Sequence, residues 1–239
     1  MVAWHDLQDA SHTSRRRISD AIFLDVLSSK SASFIHENVR HISYTRDTIS
    51  FEAAAQALSK CTGTKDVMLF YESSPELLPS LGMMPLLRLS VWLTHLFGQG
   101  NPIDFQHPVF EQLTHLAISD GEDAMVLPSG LARLPCLTHI SLNWIWSPEF
   151  HIAVLAQCPR LEVLSVLVYG EDTIAKFRPH HTHFSEDARS VLMNCPGLLR
   201  DWELGADGGA DHWVRAERFI AKRRTGAVKG ESRQTLNNS

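Results

Sequence analysis

Three segments of this chain repeat one pattern at one interval, and that most restricts what the chain can fold into. Leu113, Leu116 and Ile118 fill the first, fourth and sixth places of the first segment. Leu137, Ile140 and Leu142 fill them in the second, and Leu161, Leu164 and Val166 in the third. The segments begin 24 residues apart, at 113, 137 and 161. The fourth and sixth places alternate as in a strand with one buried face. A strand recurring at this interval is a unit that cannot bury its apolar side alone, so neighbours must stack to build a shared core.

The frame extends backwards. Val39, Ile42 and Tyr44 fit it, as do Leu86, Leu89 and Val91; Thr64, Val67 and Leu69 fit with a polar first place. Spacings between successive starts run from 22 to 27 residues, inside the ~20–29 residues of leucine-rich repeats. The asparagine or cysteine that usually follows the strand is mostly missing; Asn143 stands near that place in one copy. The expected fold is therefore α/β, a leucine-rich-repeat-like open solenoid of about six strand–helix repeats with a helical cap at each end. The near-equal spacing argues against a closed α/β fold.

Between strands the return segments read as helices. Phe51, Ala54, Ala55 and Leu58 share one face, with Ser50 as N-cap. Ser147, Pro148 and Glu149 open another, on which Phe150, Ala153 and Val154 follow. A helix from Ile18 to about Ser29 is expected over the N-terminal end of the stack. Asp211 is expected to cap a last helix, whose Trp213, Ala216 and Ile220 share a face and cover the other end. Residues 190–193 read as a last strand or as the helix before a seventh repeat at Leu198 and Leu199, with the strand favoured. The predicted organisation is a disordered stretch over 1–17, one domain over 18–226 and a disordered tail over 227–239.

Composition narrows the class. The chain is 44% hydrophobic and 21% charged, with a formal charge of −5. Apolar runs are too short to span a membrane, and no charged start followed by an apolar stretch marks a leader. Cys61, Cys136, Cys158 and Cys195 are widely separated and form no C-x-x-C pair, which predicts buried thiols in the cytoplasm or nucleus. From Trp213 onward seven Lys/Arg face two Asp/Glu. Arg215, Arg218, Lys222, Arg223 and Arg224 read as the solvated face and last turn of a helix, where cations suit its dipole. Basic residues do not interleave with Trp92, Trp144, Trp146 and Trp202. Neither a nucleic-acid nor a membrane partner is expected, and the chain is expected to be a monomer.

In such strands the first, fourth and sixth side chains point inward and the ones between point out. That places His41, His115, His139 and Val163 in one column of the concave face and Ser141 and Ser165 in the next, with Trp144 as a rim anchor. The expectation is a surface for a protein partner, with no catalytic, cofactor or metal residue assigned. No carboxylate occupies a matching place in the strands of His115 or His139 to orient a base. The alternative is a metal-dependent or hydrolytic enzyme. For metal chemistry the candidates are His180, His181 and His183, with Glu186 and Asp187 nearby; for hydrolysis a nucleophile–base pair would be needed. Gly205, Gly208 and Gly209 lie in a stretch that lacks a phosphate-loop arrangement and reads as a turn before the last helix.

Several runs also carry a family likeness. They include Ser33, Phe34 and Ile35; Asn38 to His41; Leu58 to Gly63; Leu89 to Val91; Leu96 to Gly98; and Ile103 to Phe105 with His107 and Pro108. The closing set is Asp201, Trp202, Glu203, Trp213, Ala216, Glu217, Ile220, Ala221 and Arg223 to Gly226. Together they resemble the fungal F-box-type leucine-rich-repeat proteins. The resemblance implies substrate-receptor binding in ubiquitin ligases, through an F-box module that precedes the repeats. No three-helix F-box is recognisable in the first 30 residues, so adaptor docking by this chain is not expected.

Overall fold

The computed structural model describes residues 2–5, 16–18, 20–44, 51–69, 73–120, 127–143, 147–169, 173, 186–195, 197–228 and 235–236. They belong to two compact units: residues 1–114 with 134–136, and residues 115–133 with 137–239. Residues 18–226, expected as one domain, are shared between the two. The fold class is α/β, with parallel strands in an arrangement that does not close.

The first unit contains β1 (Val2–His5), β2 (Arg16–Ile18), α1 (Asp20–Ser29), α2 (Ala32–Asn38) and β3 (Val39–Tyr44). It continues through α3 (Phe51–Ser59), β4 (Asp66–Leu69), α4 (Leu78–Leu81), β5 (Arg88–Val91) and α5 (Leu93–Leu96). Strands β3, β4 and β5 are parallel and pair in sequence order, whereas β1 runs antiparallel between β3 and β2. Strand β1 and the first two residues of β2 fall within residues 1–17, where the sequence leads one to expect disorder. Helix α2 starts at an N-cap, the Ser31 hydroxyl accepting from the Phe34 N–H.

The second unit contains β6 (His115–Ile118), α6 (Leu127–Leu131), β7 (His139–Leu142), α7 (Pro148–Gln157) and β8 (Val163–Val168). Then come β9 (Ser190–Asn194), α8 (Leu198–Ala206), α9 (His212–Arg224) and the short β10 (Thr235–Leu236). All five strands pair parallel in the order β10-β9-β8-β7-β6. Two expected helix starts are present as read. Ser147 accepts from the Phe150 N–H at 3.3 Å, and Asp211 from the Val214 N–H at 3.0 Å. Each satisfies a donor that the first helical turn leaves open.

The core follows the six-place pattern. In each full copy the residues at the first, fourth and sixth places are buried: Val39, Ile42 and Tyr44; Leu86, Leu89 and Val91; Leu113, Leu116 and Ile118; Leu137, Ile140 and Leu142; Leu161, Leu164 and Val166. Asn143 accounts for its own place. Its backbone N–H donates to the Ile118 carbonyl, and its side-chain amide donates to the Ser119 hydroxyl at 2.7 Å. One repeat is thereby fastened to the previous one through a buried polar contact.

Candidate functional site

The parallel register sets the expected columns side by side. His115 pairs with His139 and His139 with Val163; Ala117, Ser141, Ser165 and Val191 form the next row on the same face. In the first unit the equivalent row is His41, Asp66 and Arg88. Adjacent parallel strands lie about 4.8 Å apart, which brings the imidazoles of His115 and His139 face to face. Their ring centroids are 4.1 Å apart and the planes 17° from parallel.

The second-unit face is not open to solvent. Ser141 and Ser165 are 0% exposed, Val163 2% and His139 6%. Only His115 in this group is half-buried. The element lying over the face is α9, expected at the end of the stack. Trp213 meets the His115 and His139 rings edge-on at 5.1 and 6.1 Å. Glu217 reaches the His139 Nε2 at 3.1 Å. Further on, Arg223 donates to the carbonyls of Asp187, Ala188 and Ser190, where the chain enters β9. The helix therefore crosses the strands from β6 to β9. Ten residues at 1.5 Å each span about 15 Å, and three strand spacings cover nearly the same distance, about 14 Å. The outward-facing surface expected of Ser141, Val163, Ser165 and His139 is corrected accordingly.

A buried polar cluster fixes the start of α9. Asp201, on α8, accepts from the His212 backbone N–H at 2.8 Å and from His212 Nδ1 at 2.7 Å, and pairs with Arg215 at 2.8 Å. Burial alone would push the Asp201 carboxyl up. Hydrogen bonds from His212 and the neighbouring His212 and Arg215 charges outweigh it and hold the carboxyl below its ordinary value.

Glu217 supplies the carboxylate that the strands themselves lack. The Thr138 hydroxyl is 2.7 Å from His139 Nδ1, so both ring nitrogens of His139 are engaged. In this arrangement the imidazole presents no open nitrogen to a substrate proton. The hydroxyls of Ser141 and Ser165 are fully buried, with no hydrogen-bond partner among the described residues. In the first unit, His41 Nδ1 stands 3.5 Å from Asp66, and His41 remains part-exposed at 25%.

Two groups named from the sequence lie outside the described residues: Trp144, and the histidines His180, His181 and His183. Sequence reasoning missed Glu217, Asp201 and Arg223 as site-forming residues. One signal was available for the first: Glu217 is the single acid in a helix carrying five Lys/Arg. No protein-family model matches the chain, and no curated protein matches it.

Proposed function

We propose that the chain is a non-catalytic protein-binding scaffold built as a leucine-rich-repeat-like solenoid, whose concave face is occupied here by its own C-terminal helix. The repeat reading is supported by strand order. Within each unit successive repeat strands pair with their sequence neighbours, as stacking one repeat on the next requires. A doubly wound sheet would reverse its order partway.

One observation carries the binding reading. Ser141 and Ser165 bury their hydroxyls on the sheet face that α9 crosses, without a hydrogen-bond partner among the described residues. Such groups cost about 1–3 kcal/mol each when left unsatisfied, so the cover fits the face less well than a polar partner would. The partner is a protein segment that presents backbone or polar groups to this row, with an aromatic anchor where Trp213 now sits. The resemblance to F-box-type repeat proteins makes that partner a protein selected for turnover, with this chain in the substrate-receptor role.

The test is affinity capture with quantitative mass spectrometry on the full chain and two variants. Trp213→Ala loosens the cover and should raise recovery of the partner. Ser141→Ala with Ser165→Ala removes the hydroxyls and should lower it. A partner whose recovery neither variant changes would place binding on another surface and end this reading.

A further inference from the structure

The geometry points to a second capability of this face: His115, His139 and Glu217 form a site for one divalent transition-metal ion of the zinc class, which fastens α9 to the sheet. This inference goes beyond partner binding and does not depend on it. The three side chains come from two adjacent strands and the helix lying over them, and their ligand atoms all lie within 4.8 Å of one another.

The distances suit a small tetrahedral ion. Zinc bonds of 2.0–2.1 Å at tetrahedral angles separate two ligand atoms by about 3.3 Å. His139 Nε2 and Glu217 Oε1 already stand 3.1 Å apart. The His115 nitrogen must close in by no more than about 1.5 Å, the gap between 4.8 Å and that tetrahedral edge. His115 is half-buried, which leaves its ring room to turn out of the stack with His139.

The surroundings fit as well. The Thr138 hydroxyl, 2.7 Å from His139 Nδ1, is the outer-shell partner that orients a ligating imidazole and presents Nε2 to the ion. The Trp213 ring packs against both histidines and limits solvent on one side. The Glu217 side chain is 48% exposed, so the ion has an entry path and a fourth position for water. Two nitrogen donors out of three select a borderline ion over calcium or magnesium, which take oxygen ligands.

The experiment uses the full chain without a polyhistidine tag, stripped by chelator and titrated with zinc chloride by calorimetry. Cobalt(II) spectroscopy reports the geometry. We expect one equivalent at this site, tetrahedral cobalt bands, and a thermal midpoint raised by roughly 5–10 °C at free zinc about a hundredfold above Kd. Glu217→Gln keeps a hydrogen-bonding group beside His139 and should weaken zinc about a hundredfold or more, beyond what outer-shell losses cost. His115→Gln should do the same and serves as the second variant if the first alters the circular dichroism spectrum. Replacing His180, His181 and His183 by alanine should leave this equivalent in place. Absence of zinc binding by the unsubstituted chain overturns the assignment. So does binding that survives both Glu217→Gln and His115→Gln but disappears in the triple alanine variant.

Discussion

Replacing Trp213 by alanine tests whether α9 belongs on the sheet face. The side chain is 4% exposed, so nearly all of its surface is removed from water. A buried aromatic side chain hides about 150–250 Å², worth about 4–6 kcal/mol at 25 cal/mol per Å² as an upper bound. Core Trp→Ala substitutions cost about 3–5 kcal/mol. Edge-on contacts with His115 and His139 would be lost together with the area. The Asp201 cluster and the Arg223 contacts still hold both ends of the helix, so the loss should stay near 3–5 kcal/mol. Urea unfolding followed by far-UV circular dichroism measures it without relying on the deleted fluorophore. A second reading comes from Ser165→Cys in a Cys136→Ser background, since position 165 is 0% exposed. Its thiol should resist a water-soluble reagent, and adding Trp213→Ala should speed the reaction about a hundredfold, the ratio for roughly 3 kcal/mol of easier opening. A stability change under about 1 kcal/mol, with that thiol reactive from the start, would show that the helix does not cover the face.

Other consequences are equally direct. Asp201→Asn breaks a buried ion pair and should cost roughly 2–4 kcal/mol by denaturant titration. Because the folded carboxyl lies below its ordinary value, its contribution is fully present above the unfolded pKa and fades as pH falls through the folded one. The wild-type chain should therefore lose stability in acid, and Asp201→Asn should flatten that slope. Burial pushes the Cys61 thiol up to about 12 and Cys195 to about 11, and raises Cys158, while Cys136 is exposed. One thiol should react quickly with a disulfide reagent near pH 8, and three more only on unfolding. At Gly63 an added Cβ would run into the backbone carbonyl of His36, so Gly63→Ala should cost about 1–3 kcal/mol or more, read as a lowered midpoint in thermal unfolding.

How much of this could be read from the sequence depends on whether the cause is local. Ile140 and Leu142 announce their burial by spacing, because strand alternation alone sends them to one side. Ser147 and Asp211 announce helix starts because a cap needs only the next three residues. The same alternation sends His139, Ser141 and Ser165 to the opposite side, but it does not say whether that side meets water. For His139 the cover comes from a helix that begins at His212, more than seventy residues later, and no period links the two. His139→Glu should cost stability for the same reason. It would set a second carboxylate against Glu217 at the place where an imidazole now pairs with it.

A face that carries its own cover imposes terms on anything that binds there. If displacing the whole helix costs at least the roughly 3–5 kcal/mol of the Trp213 side chain alone, the open state is populated at most about one part in a few hundred to a few thousand. An outside partner's apparent affinity then falls by at least that factor, since only the open fraction can bind. A partner with an intrinsic nanomolar constant would behave as a sub-micromolar to micromolar one at best. Loosening α9 is consequently the most economical way to strengthen binding, and it can act at three separate points: the Asp201 cluster, Glu217 on His139, and Arg223 at the entry to β9. Each joins a charged group of the helix or its N-cap region to a different part of the second unit, so each can be released by a change that leaves the apolar core untouched. The charge pattern fits such a device. Once lifted, α9 exposes Trp213, Phe219 and Ile220 on one side and keeps Arg218, Lys222 and Arg224 on the other, so the freed segment would suit an acidic, apolar-lined groove on the partner itself.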